Sequence, residues 1–234
     1  GSEMCIRDRL KALLINTAQK NEPGYNFESD ADGWHIGMGW GYMNAWAAYY
    51  HRTDVRQATL TANGTAGDYR LYKGEMRDEG AGEGRDRATM VWRRHASYNP
   101  ANYPSTYYNL SDLDLALYNE TSGAYIDGDT TVVDNVHQVR VNAGTSATTV
   151  VVKPYSYSSS FPHGGATETF ALATEEAFVE VALPLRANVQ PYGSWPSTTA
   201  PGSTGDYSVY LRNNGDVALH NVTFDLRALP SGWS

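Results

Sequence analysis

Asp112-Leu113-Asp114-Leu115-Ala116-Leu117-Tyr118 decides the fold class. Its leucines occupy every second position, so they share one face of an extended strand, with Asp112 and Asp114 on the other. Outward from this stretch the same period of two persists, with β-branched and aromatic residues set between Gly, Asn, Asp and Ser turns. It places further strands at 58–62, 68–73, 88–94, 136–141, 148–153, 167–173 and 177–183. Antiparallel strands in succession with no helical interruption predict a β-sandwich or jelly roll over residues 53–183.

Upstream of Thr53 the period is helical. Leu10, Leu13 and Leu14 share one face of a helix already under way, which Asn21-Glu22-Pro23-Gly24 ends. Met43, Trp46, Ala47 and Tyr50 stand at i, i+3, i+4 and i+7, so a second short helix is expected to start near Gly41. Two such helices cannot enclose a core between them, and their apolar faces imply a partner body outside the chain. Downstream, residues 184–205 are rich in Pro, Ser, Thr and Gly and read as a linker. Beyond it, 206–212 and 219–227 flank Asn213-Asn214-Gly215-Asp216, the pattern of a hairpin with a tight Asn-Gly turn.

Composition excludes several classes of function. With 18 basic and 26 acidic residues among 234 the formal charge is −8, which removes the attraction that non-specific nucleic-acid binding depends on. No apolar run approaches the ~20 residues that span a bilayer. The single cysteine, Cys5, can form neither an internal disulfide nor a thiolate zinc site.

No motif requires a cofactor, and calcium is the one candidate. A hard cation takes several oxygens; Asp127, Asp129 and Asp134 offer carboxylates from one acidic loop, and Asp112 and Asp114 lie two apart on one strand face. The same residues also suit solvated turns and a sheet face, and no Glu closes a twelve-residue calcium loop. The histidines, at 35, 51, 95, 137, 163 and 220, form neither an i, i+4 pair nor His-Glu-x-x-His, which speaks against zinc. Tyr103, Tyr107, Tyr108, Tyr155 and Tyr157 suit either a sugar- or peptide-binding platform or the rim of a sandwich. Asn63, Asn109, Asn119 and Asn221 each fit the N-x-[ST] pattern of an exposed surface.

Two runs carry a family resemblance. Leu10-Lys11-Ala12-Leu13-Leu14-Ile15-Asn16-Thr17-Ala18 resembles a late helix of the catalytic domain of secreted subtilisin-like serine proteases. Gly39-Trp40-Gly41-Tyr42-Met43-Asn44-Ala45-Trp46-Ala47-Ala48 resembles the start of that domain's final helix. The stretch from Asp112 to Leu115 and the strand at 167–173 are similar to the β-sandwich that follows the catalytic domain in many of these enzymes. The run from Asp206 to Leu229-Pro230-Ser231-Gly232-Trp233 is similar to the opening of an extracellular immunoglobulin-like module. The resemblance implies residues 10–52 as the end of a catalytic domain, 53–183 as its sandwich, 184–205 as a linker and 206–234 as the start of a further module. It also implies a secreted parent that hydrolyses peptide bonds in protein substrates. The opening Gly1-Ser2-Glu3-Met4-Cys5-Ile6-Arg7-Asp8-Arg9 resembles the translation of a transposase adapter used in sequencing libraries, so residues 1–9 are expected to be no part of the natural protein.

The family's Asp, His and Ser motifs are missing from this sequence. Gly144-Thr145-Ser146-Ala147 imitates the nucleophile motif but leads into Thr148-Thr149-Val150-Val151-Val152, a strand where the family has a helix. His163-Gly164-Gly165 imitates the His motif but follows Ser146, the reverse of the family order. The expectation is therefore a non-catalytic C-terminal part whose partner is an upstream catalytic domain. The alternative is an independent extracellular sandwich that binds polysaccharide or a surface partner through its tyrosine-rich edge.

Overall fold

The computed structural model describes residues 2–19, 21–22, 25–26, 34–64, 67–79, 84–98, 106–181, 189–194 and 208–213. The chain divides into two compact units, 1–183 and 184–234. The first unit opens with helix α1 (Ser2–Asn16), the short strands β1 (Asn21–Glu22) and β2 (Tyr25–Asn26), and helix α2 (Ala45–Tyr50). Its body follows as β3 (Val55–Thr61), β4 (Asp68–Tyr69), β5 (Tyr72–Met76), β6 (Arg87–Trp92), β7 (Arg94–Tyr98), β8 (Thr106–Leu110), β9 (Asp114–Asn119), β10 (Tyr125–Asp129), β11 (Val136–Arg140), β12 (Thr148–Ser156), β13 (Thr167–Thr174) and β14 (Val179–Glu180).

Two larger antiparallel sheets result, with β1–β2 and β7–β8 as separate two-stranded ribbons. One runs β10-β9-β12-β5-β14, with β4 pairing the far end of β12; the other runs β11-β6-β13-β3. The architecture is mainly β and antiparallel with two helices, as the alternation predicts. Leu113, Leu115 and Leu117 are fully buried and pack with Met90, Trp92, Val150, Val152, Phe170, Leu172 and Phe178 in one core built from residues of both sheets. Each such side chain contributes roughly 1.5–3 kcal/mol on burial.

Strand β6 is buried at every position. Ala88, Met90 and Trp92 enter the core between the sheets, while Val91 belongs to a second cluster with Ala171, Ala173 and the helix residues Ala12, Leu13 and Ile15. Helix α1 thus covers the outer face of the four-stranded sheet and makes a third layer. Polar groups join the two. Thr89 Oγ1 donates to Asn16 Oδ1 at 2.9 Å, Gln138 Nε2 donates to Thr89 Oγ1 at 2.8 Å, and the buried Arg87 donates to Ala18 O at 3.1 Å. Helix α1 shares a compact unit with the strands.

The helix expected to be already under way at Leu10 begins at Ser2, within the adapter-like stretch, and two other expectations need correction. Packing fixes the segment from Ala12 to Ala18, and once nucleation is met each further residue adds a hydrogen bond. Helix α2 begins at Ala45, because Gly39 and Gly41 hold φ of 59° and 106° in the preceding loop; Asn44 caps it by accepting from Ala47 N at 3.0 Å. Asp127 and Asp129, expected in a loop, lie on edge strand β10, which carries a register shift between Tyr125 and Asp127.

The second unit contains β15 (Val189–Ser194) and β16 (Ser208–Asn213), paired antiparallel from Val189 opposite Asn213 to Ser194 opposite Ser208. Part of the expected linker is thus a strand, and the pairing partner of β16 lies upstream of it. Ladder bonds use backbone groups, so a segment with Pro191 and Gly193 can still pair in a two-stranded ribbon. The segment 219–227 lies outside the described residues.

Candidate functional site

Glu168 begins on β13 as a buried carboxylate, 4% exposed, at a position where its neighbours Thr167 and Thr169 face solvent. A buried carboxylate requires partners. Ser111, fully buried between β8 and β9, donates its hydroxyl to Glu168 Oε2. Ser111 is itself held by Trp92, whose indole Nε1 donates to Ser111 O at 2.8 Å. From β7, His95 Nε2 lies 2.9 Å from Oε2 and 3.2 Å from Oε1.

The third member comes from the loop between β12 and β13. His163 Nδ1 lies 3.5 Å from Glu168 Oε2, is buried, and makes no hydrogen bond among the described residues. Its ring is fixed by stacking, on His95 with centroids 3.8 Å apart and planes 12° apart, and on Phe161 at 6.0 Å and 7°. Gly165 permits this placement: a Cβ there would stand 2.3 Å from His163 Nε2. The three side chains border a cavity of about 210 Å³ that Arg93 and Gln57 also line. Two imidazoles and a carboxylate with donor atoms within 4.8 Å of one another form a metal-ligand constellation, the one such group of three among the described residues. It is no serine-protease triad. Ser111 donates to the carboxylate rather than to an imidazole, so the hydroxyl–imidazole pair of that triad is not formed at Ser111.

The sequence missed this group because its members come from separate strands and a loop, with His95 and Glu168 73 residues apart. A search for neighbouring histidines cannot find a pair that the fold assembles.

The aspartates proposed for calcium are differently engaged. Asp127 accepts from Gly128 N and Arg140 N, both at 2.9 Å, and Asp129 accepts from Gln138 N at 3.2 Å. These carboxylates latch β10, an edge of one sheet, to β11, an edge of the other. Asp114 feels the charges of Asp112 and Asp129; burial, with that repulsion added, pushes its carboxyl up to about 6 against the pull of Lys153. Asp112 and Asp134 are exposed. His137 is buried at the β10–β11 junction, 3.0 Å from Thr131 O and edge-on to Trp92, and burial pushes its imidazole down.

Of the tyrosines, Tyr155 and Tyr157 meet edge to face at 5.5 Å, as do Tyr118 and Tyr125 at 5.8 Å. Beside them the buried Lys153 places Nζ 4.7 Å from the Tyr155 ring centre and 5.3 Å from that of Tyr69. Tyr107 and Tyr108 lie on β8 opposite Ser97 and Ala96, and Tyr103 lies outside the described residues. Ser146 is exposed in the turn from β11 to β12, whereas the neighbours of His163 are His95, Phe161 and Glu168. Asn119, within an N-x-[ST] pattern, accepts from Ser122 N at 2.8 Å, and Asn221 lies outside the described residues. No helix among the described residues is long and apolar enough to cross a membrane.

No protein-family model matches the chain, and no curated protein matches it.

Proposed function

We propose that this chain is the non-catalytic C-terminal part of a secreted subtilisin-like serine endopeptidase, with 53–183 as a jelly-roll sandwich that buttresses the catalytic domain and 206–234 as the start of an immunoglobulin-like module. Residues 1–9 are adapter-derived on this reading. The observation that supports it most is the divided environment of the helical segment. Asn16 and Ala18 are buried and hydrogen-bonded to the sheet, while Leu10, Met43 and Trp46 are 52%, 70% and 75% exposed. One side of the segment is fitted to the sandwich; the other presents large apolar side chains that suit a further body, the rest of the catalytic domain. In the parent, peptide cleavage would proceed by acyl transfer to a serine upstream of this chain, then to water. The purified chain should accordingly leave casein intact. Hydrolysis that Ser146→Ala abolishes would overturn the proposal.

A second reading, an independent binding module for polysaccharide or a surface partner, draws on the tyrosine cluster around Lys153, in which Tyr125 and Tyr157 are exposed. Retention of the chain on a soluble polysaccharide, lost in Tyr125→Ala and Tyr157→Ala, would favour it.

A further inference from the structure

We propose that His95 Nε2, His163 Nδ1 and the Glu168 carboxylate bind one divalent transition-metal ion of the zinc type. Two imidazole nitrogens and one carboxylate oxygen match zinc and its neighbours, whereas calcium takes oxygen ligands alone. The supports that metal ligands need are also present. Ser111 fixes Glu168 from behind and is fixed in turn by Trp92, as outer partners orient ligands in metal sites. Phe161 and Gly165 set the plane and position of the His163 ring. His163 Nδ1 is buried and makes no hydrogen bond among the described residues, its nearest charged neighbour being Glu168 Oε2 at 3.5 Å.

The donor atoms are already near the spacing of a metal site. Ligand atoms on a tetrahedral ion with bonds of about 2.1 Å stand about 3.4 Å apart. His95 and His163 lie 2.9 Å and 3.5 Å from Glu168 Oε2, and the whole group fits within 4.8 Å. Because the two rings stack with planes 12° apart, gathering the group on an ion takes rotation of the imidazoles out of the stack so that both in-plane lone pairs converge on it. Three protein ligands leave a fourth position, which faces the bordering cavity and is open to water or a small anionic donor. The bound ion would tie β7, the loop before β13 and β13 itself together, so its first effect is to stabilise the sandwich.

The test uses the full chain, tag-free, treated with chelator and carrying Cys5→Ser so that the lone thiol does not compete. Zinc chloride titrated by calorimetry should show one site per chain, and cobalt should give the intense visible absorption of a four-coordinate ion. Zinc should raise the melting temperature. Glu168→Gln, which retains an acceptor for Ser111, and His163→Ala should each weaken zinc binding about tenfold or more and abolish the rise in melting temperature, while His35→Ala changes neither. Circular dichroism on the metal-free variants establishes that they fold; if His163→Ala does not, Glu168→Gln carries the test. Absence of zinc binding to the chelator-treated chain, or binding undiminished in Glu168→Gln, would overturn the proposal.

Discussion

Asp114 stands where the acidic alternation of the sequence meets the sheet, and its environment yields a signed prediction. Its carboxyl, raised to about 6 by burial and by Asp112 and Asp129, holds a proton in the folded chain at pH values where the unfolded chain has released it. Between about pH 4 and 6 the native state therefore binds more protons than the unfolded state, and stability falls as pH rises through that window. Asp114→Asn removes this loss. Relative to the parent chain, the variant should gain about 1 kcal/mol at pH 8, after allowance for partial exposure, and should show little gain at pH 4. Urea denaturation at the two pH values measures the difference. His137 acts in the opposite sense: its depressed imidazole binds fewer protons when folded, so stability is lost as pH falls below about 6.5 in both proteins, and the comparison cancels it. At this scale the sequence was partly informative. The face carrying Asp112 and Asp114 could be read from alternation, but the positions of Asp127 and Asp129 could not, because their oxygens answer to backbone N–H groups of β11. The His95–His163–Glu168 group was hidden for the same reason: contact between distant segments leaves no local pattern.

Helix α1 shows how an element depends on what lies beneath it. Its apolar spacing could be read in residues 10–18; the surface that receives it could not. The outer side of β6 presents Arg87, Thr89 and Val91, which look like the solvent face of an ordinary strand until Asn16 and Ala18 meet them. Leu13, 8% exposed between helix and sheet, tests the docking. Leu13→Ala should destabilise the unit by about 2–5 kcal/mol in denaturant titration, whereas Leu10→Ala, at an exposed position, should stay within about 0.5 kcal/mol. Equal, small effects would mean that the helix is only loosely attached. Strand β10 escaped the sequence reading because Asp127-Gly128-Asp129 has the composition of a turn. It forms a strand by ladder bonds to β9 on one side and carboxylate bonds to β11 on the other. The strand at 148–153, by contrast, was plain from its run of valines, since a strand buried on both faces needs no alternation.

At the scale of the molecule, the two larger sheets share one core, and the helical segment leaves large apolar side chains exposed. The two helix runs were what suggested a protease, and their structure suits that proposal in one respect: an element fitted to the sandwich at its end while Met43 and Trp46 face outward. The metal proposal is independent of this reading and stands or falls on its own titration. The protease proposal is tested most directly by the coding DNA upstream of Leu10, read from an independently assembled clone. The codons for residues 1–9 should be absent, and the frame should continue upstream into a helix opened by a Gly-Thr-Ser-Met-Ala run, with the family's His and Asp motifs before it. A frame that leads into an unrelated domain, or one that encodes residues 1–9 in the genome itself, would contradict it.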